Sequence, residues 1–126
     1  MPPYTLAVAY PNVSDATFNH DYYVKKHMTM VERIFGSRMI GWRTMKIVAT
    51  KPSHEKPLYN VLTLIDFPDR KTCDECLADT EAELVPDIPN YSNQQPIFLI
   101  GEPFGGDVGG FGKSLWGTLG GLQPQK

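Results

Sequence analysis

The chain has 126 residues, with 12 Lys and Arg against 14 Asp and Glu, and a net charge of −2. A chain of this length is expected to form one domain with one core. The lack of a basic excess argues against nucleic acid as a partner, because clusters of Lys and Arg neutralise phosphates. The longest apolar runs fall far short of the ~20 residues that span a bilayer, and the start lacks the regions of a signal peptide. We therefore expect a soluble, cytoplasmic protein without nucleic-acid or membrane partners.

The first half of the chain predicts a strand, a helix and a second strand. Residues 4–10 form a short β-type run. Asn19 is the predicted N-cap of a helix over 19–35, which ends at Gly36. The β-branched and aromatic residues of 39–50 indicate the next strand.

The second half again predicts a strand, a helix and a strand. Residues 58–67 read as a strand, and 69–84 as a helix. Pro86 and Pro89 indicate a loop, because proline disrupts regular hydrogen bonding. Residues 96–104 form the last predicted strand.

The two cysteines, Cys73 and Cys76, lie in the second predicted helix. Their CxxC spacing on a helix is poor for a mutual disulfide, which favours a reducing compartment. A structural zinc site needs four ligands, and the sequence has no second CxxC, CxxH or HxxxH. We interpret both residues as ordinary thiols on a helix surface and predict no metal site.

The order β-α-β-β-α-β predicts an α+β, ferredoxin-like fold, in which two helices cover one face of a four-stranded antiparallel sheet. The strands are apolar on both faces: Leu62 and Leu64 alternate with Ile65 and Phe67. The second face therefore needs cover from another copy of the chain or from an apolar ligand. We predict a homodimer through this face, with pockets between each sheet and its own helices or loops.

A glycine-rich arm, 105–126, follows the predicted domain of residues 1–104. It holds 8 of the 11 glycines of the chain. The letters GGFGKS look like the end of a P-loop, but the motif requires glycine where Asp107 stands. The simpler interpretation is a mobile arm. Because apolar residues recur at helical spacing, the alternative is that the arm docks on its own chain or on a partner.

His27 is the polar residue that does not fit its surroundings. At about 100° per residue, it falls in the middle of the apolar side of the first helix. His20, two turns earlier, and Tyr23, one turn earlier, are predicted to lie on the same side. An imidazole in apolar surroundings has a lowered pKa and is mostly neutral near pH 7, which suits a general base. The simpler alternative is a core histidine with satisfied hydrogen bonds.

Other residues are expected to complete a pocket at this histidine. Trp42 lies on the facing strand, and Asp87 and Tyr91 follow the second helix. The sequence has no GxSxG nucleophile motif and no flavin or nicotinamide signature after the first strand. We therefore predict acid/base chemistry without a cofactor.

Three motifs together resemble a known family: YPN at 10–12, FNHDYYVKKHM at 18–28 and DIPNYSNQQPIFLIGE at 87–102. Over about residues 4–104, the sequence is similar to EthD-like proteins of the dimeric α+β barrel superfamily. The resemblance implies a ferredoxin-like fold that dimerises through its sheets. It places His27 at the helical HM position of the family, Tyr22 and Tyr23 as its YY pair, and Asp87, Pro89, Asn90 and Tyr91 as its DIPNY loop.

The family includes proteins associated with ether degradation and fungal proteins credited with decarboxylating or dehydrating polyketide intermediates. From this resemblance we expect a cofactor-independent lyase or cyclase acting on a small apolar aromatic or polyketide-like substrate. His27 would exchange the proton, and Tyr23, His20 or Tyr91 would stabilise the oxyanion. Further predicted substrate contacts are Trp42, Asp87, Tyr91 and Tyr22.

Three alternatives remain open at this stage. A cofactor-free monooxygenase would use the same base to form a carbanion that reacts with O2. A binding module would hold an apolar small molecule or haem without transforming it. An accessory protein acting through its arm would have a filled, dry space around His27.

Overall fold

The computed structural model describes residues 3–52 and 56–106. Four strands form one antiparallel sheet in the order β2-β3-β1-β4. They are β1 Tyr4–Pro11, β2 Gly41–Lys46, β3 Tyr59–Phe67 and β4 Ile97–Gly101. The predicted element order and the α+β, ferredoxin-like fold class are confirmed, although β2 and β4 are shorter than predicted.

The helix between β1 and β2 has three consecutive segments, which we call together the His27 helix. They are an α-helical turn His20–Tyr22, a π-helical turn Tyr23–His27 and an α-helix Met28–Phe35. As predicted, the side chain of Asn19 caps the first turn by accepting a backbone N–H at 3.1 Å. Gly36 ends the helix with φ of +56°, a conformation that favours glycine.

The π-helical turn differs from the continuous α-helix that the sequence predicted. Its last backbone bond runs from the N–H of Met28 to the carbonyl of Tyr23, five residues back. This wider turn uses more residues per revolution, so seven residues no longer complete two turns. His20 is exposed and lines a different pocket from the buried His27, so the two do not meet at one site as predicted.

The second helix is shorter than the predicted 69–84. It spans Arg70–Ala78 and is capped by the side chain of Asp69. Beyond it, the hydroxyl of Thr80 donates to the carbonyl of Leu77 at 2.7 Å and competes with helical backbone bonding. The second helix therefore ends at Ala78 and does not reach residue 84 as predicted.

The segment predicted as a proline loop is helical instead. It forms a short helix Leu84–Asp87 and a 3-10 turn Ile88–Asn90. Pro86 and Pro89 are compatible with these elements because the N–H groups of a first turn need no partner within the helix. This compact arrangement gives Asp87 a fixed place against the His27 helix.

The core lies between the sheet and the helices. Its buried side chains come from the inward positions of β1 and β3 and from the helices: Leu6, Val8, Tyr10, Tyr23, Met28, Val31, Phe35, Val61, Ile65, Phe67, Leu84, Ile88 and Tyr91.

Cys73 and Cys76 also lie in this core with no exposed surface. The prediction that their thiols lie on a helix surface was therefore wrong. Their spacing of three residues places both on the inward side of the second helix.

The opposite face of the sheet is apolar over most of its area. Its apolar paired positions are Ala7, Ala9, Met45, Leu62, Leu64, Ile97 and Leu99, and its polar ones are Thr5, Arg43 and Asp66. Ile97 is 43% and Leu99 57% exposed in the isolated chain. The predicted sheet with two apolar faces is therefore present.

Two further predictions concern regions outside this architecture. No helix within residues 3–52 and 56–106 is long and apolar enough to cross a membrane. The predicted arm lies outside the described residues from position 107 onward, and its docking and the domain boundary at 104 stay predictions.

Candidate functional site

The start of the His27 helix is joined to the segment that follows the short helix Leu84–Asp87. The N–H of Asn19 donates to the carbonyl of Tyr91 at 2.7 Å. Next to it, Phe18 and Ser92 form an isolated antiparallel bridge. These backbone contacts bring the DIPNY segment against the helix that carries His27.

His27 and Asp87 form a buried pair between these two elements. Nδ1 of His27 lies 2.9 Å from Oδ2 of Asp87, and each side chain is 8% exposed. The other carboxylate oxygen, Oδ1, accepts hydrogen bonds from the hydroxyl of Tyr22 at 2.7 Å and from Nδ2 of Asn90 at 2.9 Å. Asp87 thus has three donors, which satisfies a carboxylate in a buried position.

The pKa shifts of His27 and Asp87 indicate which atoms of the pair carry protons. Burial alone raises the pKa of Asp87, but the hydrogen bonds from Asn90, His27 and Tyr22 together bring that pKa below its ordinary value. Burial lowers the pKa of His27, and the bond to Asp87 only partly opposes this effect. Near pH 7 the carboxylate is therefore ionised and the imidazole is neutral. Nδ1 then carries the proton, and Nε2 is left as an acceptor.

Two phenols extend the hydrogen-bonded network from Nε2 of His27. The hydroxyl of Tyr91 lies 3.4 Å from Nε2 of His27, and the hydroxyls of Tyr91 and Tyr10 are 2.6 Å apart. Burial raises the pKa of both phenols well above the ordinary value, so both keep their protons. We call the connected side chains the His27 network; its members are Tyr10, Tyr91, His27, Asp87, Tyr22 and Asn90.

Tyr23 contacts the imidazole through its ring and not through its hydroxyl. Its ring stacks on that of His27, with centroids 5.3 Å apart and an angle of 14°. The hydroxyl is 2.6 Å from the hydroxyl of Thr63, which lies 2.8 Å from that of Thr44. Tyr23 thus forms part of the wall beside His27, and its hydroxyl contacts Thr63 while also interacting with the hydroxyl of Tyr10.

A cavity of about 40 Å³ lies beside the imidazole. Its wall includes His27, Tyr23 and Tyr91, together with apolar side chains of the core and Phe98 of β4. At about 10–15 Å³ for each water, this space holds about three water molecules. The surroundings of His27 are therefore not completely filled, but an aromatic ring needs more room than this cavity offers.

The structure brings most of the predicted site residues together. Tyr22, His27, Asp87 and Tyr91 share the His27 network, with Tyr23 stacked on it. His20 is exposed in a shallow groove, and its ring lies 5.0 Å from that of Phe18. Trp42 is half-buried, and its indole N–H donates to Glu32 at 2.9 Å. Neither His20 nor Trp42 lines the cavity.

Sequence reasoning did not assign a role to Tyr10 or to Thr63. Tyr10 stands in the YPN motif at the end of β1, and its inward position is given by the alternation along that strand. That pattern identifies Tyr10 as a core residue but gives no indication that its hydroxyl meets Tyr91. Contacts between residues 81 positions apart follow from the fold and not from local sequence.

The remaining polar residues give no sign of a metal centre. Within residues 3–52 and 56–106, no three His, Cys, Asp or Glu side chains cluster as metal ligands. Burial raises the pKa of Cys73 to about 11 and raises that of Cys76 as well. Both thiols are consequently protonated and poor nucleophiles at neutral pH.

Comparison with known proteins adds two similar structures. No family model and no curated protein matches this sequence. An EthD-like protein from Ralstonia eutropha JMP134 is 26% identical, with a TM-score of 0.73, over 81% of this chain and 92% of that chain. An ethyl tert-butyl ether D (EthD) family protein from Bacillus halodurans C-125 is 12% identical, with a TM-score of 0.61, over 81% and 99%. At this lower identity, the second similarity shows the fold alone.

The fold and the site define a ferredoxin-like α+β protein with a carboxylate, an imidazole and two phenols in one buried network. Both similar structures have this fold. The similarity to the protein from Ralstonia eutropha confirms the resemblance predicted from the sequence and supports assignment of this chain to the EthD-like family.

The lowered pKa of His27 predicts a specific loss of stability in acid. The unfolded chain, with a histidine pKa of 6.5, takes up this proton before the folded chain does. Stability is therefore complete above pH 6.5 and is lost as the pH falls through the lower folded pKa. Urea unfolding at about pH 7.5 and about pH 5 measures the loss.

Two variants separate this effect from other titrations. His27→Gln should show a smaller loss of unfolding free energy than the wild type over the same pH interval. His20→Gln removes an exposed histidine and should retain the larger part of the loss. An identical loss in the wild type and His27→Gln would show that His27 is not held with a lowered pKa.

Proposed function

We propose that this protein is a cofactor-independent lyase or cyclase that decarboxylates or dehydrates a small apolar aromatic or polyketide-like molecule. The buried pair of His27 and Asp87 carries this proposal, because it leaves Nε2 unprotonated on a neutral imidazole, and His27 lines a cavity. A base in this state is ready to accept a proton near pH 7.

The proposed chemistry uses proton transfer at Nε2 in both directions. In decarboxylation, Nε2 takes the acidic proton of the substrate, the C–C bond to the carboxylate breaks, and CO2 leaves an enolate. The imidazolium then returns the proton to carbon. In dehydration, Nε2 removes a proton from carbon and returns it to the departing hydroxyl. Asp87 stabilises the imidazolium that forms in each case, since its carboxylate accepts from Nδ1–H.

Tyr91 is the proposed oxyanion donor. Its hydroxyl faces Nε2 of His27 at 3.4 Å, a long and weak hydrogen bond that Tyr91 can exchange for one to a substrate oxygen. Tyr22 acts through Asp87, and the ring of Tyr23 forms a wall of the cavity. His20 and Trp42 stay outside this proposal because neither lines the cavity.

The size of the cavity limits how a substrate enters. A space of about 40 Å³ admits a ring only if part of its wall moves. Phe98 is 41% exposed, so this wall residue is the one with free space into which to move. The same volume argues against haem as the ligand of this site.

We also propose that the protein forms a homodimer through the uncovered sheet face. Support comes from the apolar residues paired across its strands, among them Leu62, Leu64, Ile97 and Leu99. Burying such a surface against its own copy removes apolar area from water on both chains. We place the protein in the cytoplasm, with Cys73 and Cys76 reduced, as expected in a reducing compartment.

Replacing His27 tests the catalytic proposal directly. Purified wild type and His27→Gln are incubated with aryl β-keto acids and hydroxylated benzoic acids, and CO2 release above the spontaneous rate is measured. General acid/base catalysis is worth roughly 10²- to 10⁴-fold, so His27→Gln should lose about that factor while remaining folded. Equal CO2 release from both proteins on every substrate that is turned over would remove His27 from the mechanism.

The same incubations discriminate the alternative functions. Oxygen consumption that matches substrate loss would indicate a monooxygenase and contradict the lyase assignment. A visible spectrum of added haem that differs between wild type and His27→Gln would indicate a haem-binding module.

A charge on the uncovered sheet face tests the dimer. Leu64→Lys places an ammonium group on that face and should convert a dimer into a monomer, because the charge would be buried between two sheets. Val24→Lys is the control, since Val24 is 46% exposed on the His27 helix, on the other side of the sheet. Size-exclusion chromatography with light scattering measures the mass. A monomeric wild type, or a dimeric Leu64→Lys, would contradict the proposed interface.

A further inference from the structure

Tyr10 is a buried phenol to which neither the sequence nor the proposed reaction gave a role. It is 2% exposed and lies on the inward face of β1. Its ring makes edge contacts with Phe18, Tyr23 and Tyr91 at centroid distances of 5.0, 5.8 and 5.9 Å. Its hydroxyl is 2.6 Å from the hydroxyl of Tyr91. Burying a hydroxyl in an aromatic cluster costs free energy unless the hydroxyl forms a hydrogen bond. The contact with Tyr91 therefore indicates how this cost is met.

The protons of the His27 network can be assigned by counting donors and acceptors. Asp87 accepts only, so Nδ1 of His27 donates to it and Nε2 must accept. The facing hydroxyl is that of Tyr91, which therefore donates to Nε2. Having one proton, Tyr91 cannot also donate to Tyr10. The 2.6 Å contact is then made by the proton of Tyr10.

We propose that Tyr10 is a positioning residue that fixes the direction of this hydrogen-bonded chain and so aims the proton of Tyr91 at Nε2 of His27. All three hydrogen bonds then run in one direction: Tyr10 donates to Tyr91, Tyr91 to His27, and His27 to Asp87. Hydrogen bonds in such a chain polarise one another, which makes Tyr91 a better donor than an isolated phenol.

The direction of these hydrogen bonds also has a consequence for the reaction, and this consequence rests on the proposed function. When Nε2 gains a proton from the substrate, it becomes a donor, and the proton of Tyr91 can no longer point at it. Because Tyr10 still donates to Tyr91, that proton does not turn back toward Tyr10. It is left for the substrate oxygen, where negative charge develops. No proton leaves either phenol, which agrees with the raised pKa of both groups.

A second hydroxyl chain in the same cluster provides a matched control. Tyr23 is as buried as Tyr10, and its hydroxyl contacts that of Thr63 at 2.6 Å. Tyr10→Phe and Tyr23→Phe therefore each remove one buried phenolic hydroxyl. The hydroxyls of Tyr10 and Tyr23 also interact with each other, but only Tyr10→Phe removes the hydroxyl that contacts Tyr91 and so the chain that reaches Nε2 of His27.

The test is the ¹⁵N resonance of Nε2 of His27, recorded by NMR on wild type, Tyr10→Phe and Tyr23→Phe at a pH where the imidazole is neutral. In the wild type, Nε2 should resonate as an unprotonated nitrogen that accepts a hydrogen bond. In Tyr10→Phe it should shift toward the value of a free acceptor nitrogen, and the pKa of His27 should rise because its neutral form loses support. Tyr23→Phe should show a smaller change in the ¹⁵N resonance of Nε2 and in the pKa of His27.

Two results would overturn the inference. A wild-type Nε2 that is protonated or free of a hydrogen bond would do so without any variant, which covers the case that Tyr10→Phe fails to fold. Equal shifts in Tyr10→Phe and Tyr23→Phe would do so as well, since the chain would then be no more sensitive to one hydroxyl than to the other.

Kinetics separate this inference from the proposed function. On a substrate that the wild type turns over, Tyr10→Phe should lower kcat about five- to tenfold with little change in KM, the effect of one net hydrogen bond made in the transition state. An unchanged kcat would contradict the role in the reaction. A wild type without turnover but with the predicted NMR shift would contradict the proposed function and support the assignment of Tyr10.

Discussion

The hydrogen bond of 2.9 Å between Nδ1 of His27 and Oδ2 of Asp87 joins two elements that lie 60 residues apart in the chain. A carboxylate in a buried position is tolerated only when donors surround it, and Tyr22 and Asn90 supply the other two. The pair therefore determines where the short helix Leu84–Asp87 sits against the His27 helix. It also determines which imidazole nitrogen is left to act as a base.

The surrounding fold gives this pair its apolar environment. The sheet supplies Tyr10 from below, the His27 helix supplies Tyr23 from the side, and Tyr91 closes the space between them. These apolar surroundings disfavour the charged imidazolium and lower the pKa of His27. Asp87 favours the charged form, but the effect of burial on the pKa is the larger of the two. The opposition of these two effects leaves a neutral histidine beside an ionised carboxylate. A core chosen only for stability would contain apolar side chains here, which is why this network indicates function.

Much of this arrangement follows from sequence patterns, and the rest depends on contacts that no local pattern encodes. The period of the apolar residues predicted the helix and the burial of His27, and the family motifs indicated Asp87. The π-helical turn could not be predicted, because it adds a residue to one turn without a distinctive composition. His20 was expected beside His27 but is exposed and lines a different pocket. The partner of Tyr10 was missed because strand alternation gives the side of the sheet but not the long-range contact.

The proposed role of His27 is to move protons to and from carbon, and exchange of carbon-bound hydrogen measures this step without knowledge of the natural substrate. Wild type and His27→Gln are incubated in D2O with an enolisable aryl methyl ketone, and loss of the methyl proton signal is followed by NMR. With the wild type, exchange should be faster than in buffer, and His27→Gln should lose roughly 10²- to 10⁴-fold of this rate. Exchange at the buffer rate with the wild type, or at equal rates with both proteins, would contradict this role of His27.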